Sequence, residues 1–562
     1  MEQWRGRRPE LRERRGQTMT DRTDQFLAAA PSSAVPLVAF LLVVCCVVLL
    51  YLMYGADSDG PADVYVAGRT VRPVTNGLAL AGDHISLITL MATTGLVALS
   101  GYDGMALAMS TVGSLGVLLI LAHPLRNVGQ FTLGDTLGAR FPGSAARIAG
   151  TVATLCFCLP LIVVQLVVAG AAVTFLMGLS DTGAAAQVCT ALIGAVMICA
   201  ASLSGMRGNS ILQTIKTVVL LVAMAVLAGQ VLNAFGWDVN QLLDAAAHNS
   251  PDPAHYYEPS PLHGVGADDA WSRLSMLITV ILGAAVGPHM LMRLNATDRG
   301  ESARRTVKYA IGPVALFCGL AVLLGFGATA VVGADAIRAA DPEGLAALPL
   351  LAIQLAADGS VGGMTIALTV SMFFLTSLTV VAALTLSSAA SLAHDVFAAG
   401  AGRDRRAKTE MRLLRWSAVA VGTLAVLLAV ALEGREVTFL AQFAITAAAA
   451  AILPTVVFEL FWSGYTRAGM IWSVYGGLGT CVVLQLFGPA VSGSPTSILP
   501  GADFAWFPLE ATGLVSVPVG FLMGWAASRV TASGAMTRAP YQDLEERALT
   551  GTGSANPTER VR

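Results

Sequence analysis

Two short stretches of this sequence combine flexible glycines with residues that can take part in ion binding. Gly82-Asp83-His84 lies inside one apolar segment, and Gly283, Gly287 and Pro288 lie inside another. Proline removes a backbone N–H and glycine lowers the cost of unwinding, so each stretch predicts an interrupted helix. Interrupted helices in membranes leave carbonyl groups free for cations and N–H groups free for anions. We therefore expect Gly283, Gly287 and Pro288 to help bind a substrate.

Three polar side chains inside apolar segments are candidates for binding a cation. Asp83 is ionisable, and it could support a cation or carry a proton, or it could instead cap a helix or pair with a neighbouring one. Thr376 and Thr379 are three positions apart and therefore share one helix face. Two hydroxyl oxygens beside free carbonyl groups suit Na⁺, although such hydroxyls also commonly bond their own backbone.

The elements that position these residues are apolar segments of about 20 residues, the length that crosses a bilayer. Of the 562 residues, 55% are hydrophobic and only 12% are charged. We predict an all-α integral membrane protein. Its thirteen transmembrane helices are expected at 34–54, 77–99, 105–122, 147–178, 183–203, 211–233, 271–292, 310–333, 360–394, 413–432, 437–462, 469–490 and 508–529.

The interrupted segments are the second and the seventh of these spans, five apart in order. This spacing predicts an inverted five-helix repeat, in which the second to sixth spans face the seventh to eleventh. The transport core then covers 77–462, with an extra helix at 34–54 before it and two C-terminal transmembrane helices within 469–529 after it. We expect Leu345–Ala357 to form a short helix lying at the outer surface and the tail at 530–562 to be flexible.

The placement of lysine and arginine predicts the orientation. These residues are concentrated in one set of loops, which the positive-inside rule makes cytoplasmic, and we count Lys216 and Arg293 among these loop charges. The C-terminus is therefore predicted in the cytoplasm and the N-terminal tail, 1–33, outside. That tail is itself rich in arginine, so either Met19 is the true start or the internal loops override the tail.

Other functional classes lack support in the sequence. The formal net charge of −2 does not indicate nucleic-acid binding, and no nucleophile elbow, HExxH motif or phosphate loop indicates an enzyme. The eight cysteines lie in apolar segments without the spacing of a metal site or a disulfide framework. We expect no cofactor, and the expected partners are the lipid bilayer, a small solute and a coupling ion.

Five short motifs resemble those of the sodium/solute symporter family, and within it the acetate permease (cation/acetate symporter) group. They occur in family order and with similar spacing, and the likeness runs from about residue 62 through the last spans. The motifs are Asp63–Arg69, Asn76–Asp83, Ser100–Gly104, Gly287–Arg293 and His394–Phe397.

The resemblance implies a LeuT-type inverted-repeat fold with one extra helix before the core, and Na⁺-coupled uptake by alternating access. It implies a sodium site formed by carbonyl groups near Gly82 and Ile85 and by hydroxyl groups at Thr376 and Thr379. The third hydroxyl position of the family is occupied by Val380, which cannot ligate an ion through its side chain. Both Na⁺ and H⁺ therefore stay open as the coupling ion.

Together these observations predict a symporter in the plasma membrane that takes up a small monocarboxylate such as acetate, propionate or pyruvate. The carboxylate would rest on backbone N–H groups near the two interrupted helices. Two alternatives stay open: a symporter for another small solute, proline-like or sugar-like, and a transporter-like sensor. A sugar site is expected to offer several paired polar side chains, and these segments offer few.

Overall fold

The computed structural model describes residues 60–551 with short gaps at 177–182, 204, 260–266, 358–361, 398–402, 436, 494–496, 498, 500, 510 and 533–537. Within these residues the secondary structure is helical apart from one isolated bridge between Ser492 and Leu499. The predicted all-α class is therefore confirmed. The predicted first span, 34–54, lies outside the described residues.

The first half of the fold contains nine helices, and its long members are the apolar segments expected from the sequence. They are α1 (Pro61–Val66), α2 (Pro73–His84), α3 (Leu87–Ser100), α4 (Tyr102–Val128), α5 (Leu133–Gly138), α6 (Ser144–Leu176), α7 (Gly183–Leu203), α8 (Met206–Ala234) and α9 (Val239–His248). A short 3-10 turn, Ala67–Arg69, follows α1.

The second half contains twelve helices. They are α10 (Ala267–Gly283), α11 (Pro288–Asn295), α12 (Gly300–Val331), α13 (Ala334–Ala340), α14 (Ala347–Ala357), α15 (Gly362–Ala390), α16 (Arg403–Ala431), α17 (Thr438–Ala447), α18 (Leu453–Phe461), α19 (Arg467–Leu486), α20 (Gly513–Thr531) and α21 (Arg538–Thr550). π-Helical turns at Ser391–Phe397 and Ala448–Ile452 extend α15 and join α17 to α18.

Eleven helical stretches of the described chain are long and apolar enough to cross a membrane, and α2 with α3 makes a twelfth span bent by 60°. These twelve correspond to the second to thirteenth spans predicted from the sequence. The bent pair packs between α8 and α12, and α6 packs along α15. The approach of α2 to α12 is close because a Cβ on Gly77 would lie 2.5 Å from Cβ of Tyr309.

The segment predicted as a short helix at the outer surface is a helix, and it is buried among its neighbours. Leu348 and Leu351 of α14 are fully buried, and the helix packs against α3, α12 and α15. The cause is composition: apart from Gln354, α14 is apolar on all sides, and such a helix is buried rather than laid on a polar boundary.

The C-terminal tail was expected to be flexible, and for residues 538–550 this is wrong. Helix α21 packs on the end of α4, where the Asn127 side-chain amide donates a hydrogen bond to the carbonyl of Ala548 at 3.0 Å. Leu544 and Ala548 are buried at this contact. Their spacing of four residues places both on one face of the helix, which gives the tail an apolar stripe that can dock.

Candidate functional site

The first interruption lies where the sequence predicted it. Helix α2 ends at His84, Ile85 and Ser86 are extended, and α3 begins at Leu87. The Ser86 hydroxyl caps the new helix by accepting a hydrogen bond from the Thr89 N–H at 3.1 Å. The Ile85 N–H still donates to the Ala81 carbonyl at 2.9 Å. The chain beyond it is extended, so the last carbonyl groups of α2 must find other partners.

Lys216 of α8 supplies that partner. Its Nζ donates a hydrogen bond to the Gly82 carbonyl at 2.5 Å and another to the Ile85 carbonyl. The side chain is fully buried. These are the two carbonyl groups that the family resemblance assigned to a cation, and in this structure a lysine ammonium lies on both.

The predicted loop positions of Lys216 and Arg293 are wrong. Lys216 lies inside the span formed by α8, and Arg293 lies on α11 with only 1% of its side chain exposed. The positive-inside count treats every basic residue as a loop charge and therefore misplaces basic residues that have a buried partner. The available signal was position: Lys216 falls within the predicted span 211–233, where a charged residue is a functional candidate.

Helix α8 also connects the interrupted helix to α15. The Gln213 side-chain amide donates a hydrogen bond to the Thr379 carbonyl at 2.9 Å. The Thr379 hydroxyl donates to the carbonyls of Leu375 and Thr376, its own helix. The Thr376 hydroxyl is buried without a hydrogen-bond partner among the described residues. Both predicted hydroxyls are therefore buried. Among the described residues Lys216 bonds the carbonyls of Gly82 and Ile85 and neither of these hydroxyls.

Asp83 forms a buried ion pair with Arg293. The Arg293 Nε donates to Asp83 Oδ2, and its Nη1 donates to the Ser210 hydroxyl at 2.9 Å. The Asn76 side chain donates to the carbonyl of Arg293 at 3.1 Å. This ion pair joins the two interrupted spans, since Asp83 lies at the end of α2 and Arg293 lies on α11. Of the roles considered for Asp83, the structure therefore matches the pairing with a neighbouring helix.

The second interruption is also present. A 3-10 turn, Ala284–Val286, follows α10, Gly287 has extended ψ, and Pro288 starts α11. Gly283 allows a close approach, because a Cβ there would lie 2.0 Å from the Ile445 carbonyl oxygen. The three residues predicted to bind substrate therefore lie at a real break in the helix, at which α10 packs closely against α17.

Gln165 of α6 is a candidate ligand that the sequence reading missed. Its Oε1 accepts a hydrogen bond from the Leu87 N–H, the first of α3, at 3.2 Å. Its Nε2 has no hydrogen-bond partner among the described residues, although the residue is only 1% exposed. An amide inside an apolar span was the available signal. The unpartnered Nε2 of Gln165 and the positive N-terminal end of α3 together favour the binding of an anion.

A separate polar cluster contains motif residues near His394. The His394 ring hydrogen-bonds to Asp135 at 3.2 Å and to Glu410 at 2.7 Å, and Asp395 lies beside them. Burial opposes ionisation of Asp135, but its hydrogen bond with His394 and the charge of Arg147 lower its pKa. One ligand atom each of Asp135, His394 and Asp395 could reach a common metal ion, yet these atoms already have protein partners.

Comparison with known proteins agrees with this architecture. The profile of the sodium:solute symporter family matches residues 64–477. The "Monocarboxylic acid transporter" of Corynebacterium glutamicum is 33% identical over 528 residues, which cover 92% of this chain and 94% of that protein. The "Uncharacterized symporter YwcA" of Bacillus subtilis strain 168 is 33% identical over 514 residues, covering 91% of this chain and 97% of that protein.

Two solved transporter structures have a similar fold. A Na⁺-coupled sialic acid symporter in a substrate-bound outward-open state superposes with a TM-score of 0.68, at 13% identity, over 88% of this chain and 98% of that one. Mhp1, a nucleobase-cation-symport-1 family transporter, superposes with a TM-score of 0.52, at 13% identity, over 88% and 99% of the two chains. The expected LeuT-type fold is confirmed.

Proposed function

This chain belongs to the sodium:solute symporter family, and we propose that it couples the entry of a cation to the uptake of a small monocarboxylate such as acetate, propionate or pyruvate. It is a multi-pass membrane transporter rather than an enzyme. The proposed orientation places the C-terminal helix α21 in the cytoplasm and the N-terminus outside, as the loop charges predict.

The observation that carries the substrate class is the anion-binding geometry at the start of α3. The Leu87 N–H lies at the positive end of a 14-residue helix and is met by a neutral amide, Gln165. A substrate carboxylate could accept from Gln165 Nε2, which has no partner among the described residues. It could also accept from the Leu87 N–H if it displaced Gln165 Oε1 from that group. The relative named as a monocarboxylic acid transporter supports the same class of substrate.

Coupling requires that the cation and the substrate each bind one state of the transporter better than the other. We propose that the first interruption meets this requirement. It contains the carbonyl groups of Gly82 and Ile85, which attract a cation, and the N–H of Leu87 at the start of α3, which attracts an anion. A positive charge on those carbonyls would fix the break and thereby the N-terminus of α3. Thr376, whose hydroxyl has no hydrogen-bond partner among the described residues, stays a candidate contact on α15.

The proposed function is tested by uptake of radiolabelled acetate and pyruvate into proteoliposomes, with a Na⁺ gradient and a pH gradient imposed separately. Accumulation above that of empty liposomes is expected under one of the gradients, with competition by unlabelled propionate. Empty liposomes also correct for passive entry of acetic acid. No uptake above them under either gradient would contradict the monocarboxylate assignment, and competition by proline alone would favour the alternative solute.

The role proposed for Gln165 predicts a specific defect. Gln165→Leu keeps the side-chain volume but removes the amide, and a hydrogen bond to a charged group contributes about 1.5–3 kcal/mol. We expect the KM for the monocarboxylate to rise by about tenfold to a hundredfold, with less change in the amount of folded protein. Gln230→Leu is the matched control, since Gln230 on α8 bonds Thr365 instead. Equal KM values for both variants would refute the role.

A further inference from the structure

We propose that Lys216 is the resident cation of the first interruption: its ammonium takes the position of a coupling Na⁺, so this site works without sodium. The inference rests on the proposed symporter function and concerns the same site. The resemblance does not imply it, because the sodium site that it implies consists of carbonyl and hydroxyl groups. What indicates it is the contact of one Nζ with the carbonyls of both Gly82 and Ile85.

The two carbonyls lie on either side of the end of α2, and one point charge satisfies both. Gly82 belongs to the last turn of the helix, and Ile85 is the first extended residue after it. An ion bound by these oxygens would have to lie where Nζ lies. Two cations on the same pair of oxygens would repel each other strongly in a buried site of low dielectric constant, so the ammonium excludes Na⁺.

The packing of α8 is arranged to bring Lys216 to this point. A Cβ on Gly82 would lie 2.7 Å from the Gln213 carbonyl oxygen and 2.7 Å from the Thr217 hydroxyl, so only glycine allows α8 this close. The Thr217 hydroxyl also donates to the Leu78 carbonyl at 3.0 Å. Residues on both sides of Lys216 therefore hold its backbone against α2.

The link to α15 that a sodium ion would make directly is made through α8 instead. Lys216 holds the break, and Gln213, one turn earlier, holds the carbonyl of Thr379. The hydroxyl of Thr379 bonds within its own helix, and Val380 has no hydroxyl to offer. Of the three positions that should supply hydroxyl ligands, Thr376 is the one whose hydroxyl is unbonded among the described residues. This side of the site therefore offers fewer free hydroxyls than the sodium site implied by the resemblance.

The charged side chains around the first interruption are consistent with a single cation on the carbonyls of Gly82 and Ile85. Asp83 and Arg293 form an ion pair with each other, with each side chain 1% exposed. The charge of Lys216 is then the one that faces the carbonyls, and a bound Na⁺ would add a second uncompensated charge. Burial of an unpaired charge is strongly unfavourable. Removal of the ammonium should conversely leave a space of the right polarity for Na⁺.

The test is the thermal stability of the purified full-length protein in detergent, with NaCl compared with choline chloride at equal ionic strength. The parent protein should show no Na⁺-specific rise in melting temperature. Lys216→Ala vacates the position and should gain a rise that saturates with Na⁺. Lys216→Met fills the same space without charge and should show none.

A saturable Na⁺-specific stabilisation of the parent would overturn the inference, even if neither variant folds. A folded Lys216→Ala that ignores Na⁺, or a Lys216→Met that responds as Lys216→Ala does, would overturn it too. This readout needs no substrate, so it is independent of the proposed function. Failure of every monocarboxylate in the uptake assay would remove the proposed substrate, whereas acetate uptake by a Na⁺-stabilised parent would remove only the inference.

Discussion

Arg293→Ala is expected to lower the free energy of unfolding by about 3–5 kcal/mol, the range found when one partner of a buried ion pair is removed. The variant leaves the Asp83 carboxylate buried without its guanidinium partner, and it also removes the hydrogen bond to the Ser210 hydroxyl. The loss is measured as a lower melting temperature in detergent and a smaller yield of monodisperse protein.

Arg305→Ala is the matched control for this prediction. Arg305 also pairs with a carboxylate, Glu301, but the side chains of that pair are 60% and 59% exposed. Exposed pairs contribute about 0.2–1 kcal/mol, so this variant should melt close to the parent. Similar losses in the two arginine variants would show that burial of the Asp83 pair is not what matters. The double variant Asp83→Leu with Arg293→Met should recover part of the stability, since it leaves no unpaired charge.

Gly82→Ala is expected to abolish monocarboxylate uptake. The added methyl would meet the Gln213 carbonyl, the Gln213 side chain and the Thr217 hydroxyl, each at 2.7 Å. Overpacking of this kind costs about 1–3 kcal/mol and displaces backbone. The displacement separates α8 from the break and carries Lys216 away from the carbonyls that it bridges. The measurement is the initial rate of acetate uptake per folded transporter in proteoliposomes.

Gly229→Ala provides the control for this variant, because it lies on α8 and an added Cβ meets no atom within 4 Å. Alanine is the better helix former by about 1 kcal/mol, so this variant should transport as the parent does and should be no less stable. Normal uptake by Gly82→Ala would mean that the close approach of α8 to α2 is dispensable. Loss of uptake in both variants would indicate a general intolerance of α8 and its neighbours.

Local features of the chain were sufficient to predict the spans and their interruptions. Segment length and hydropathy report directly on whether a helix can cross the hydrocarbon, so the second to thirteenth spans are where they were expected. Glycine and proline act on their own backbone, and the breaks at Ile85 and Gly287 follow from that chemistry. The family motifs, which are also local, identified the inverted-repeat fold.

The packing of helix α14 and of the tail helix α21 could not be predicted from local sequence features. Both were recognisable as segments, but the burial of the first was not predicted and the second was expected to be flexible. Which neighbours cover an apolar face depends on how the whole bundle closes. A hydropathy pattern records only that the face needs cover.

Only the tertiary structure decided the partners of the buried polar groups. Asp83 and Arg293 are separated by 210 positions, and Lys216 lies 134 positions from Gly82. Their contacts depend on how three separate helices are rotated and how deep each lies in the bundle. Composition and spacing do not determine either quantity. The sequence alone determined a membrane transporter with two broken helices. The packing of α8 against the first break determined that a lysine, rather than free carbonyl groups, stands at the predicted cation site.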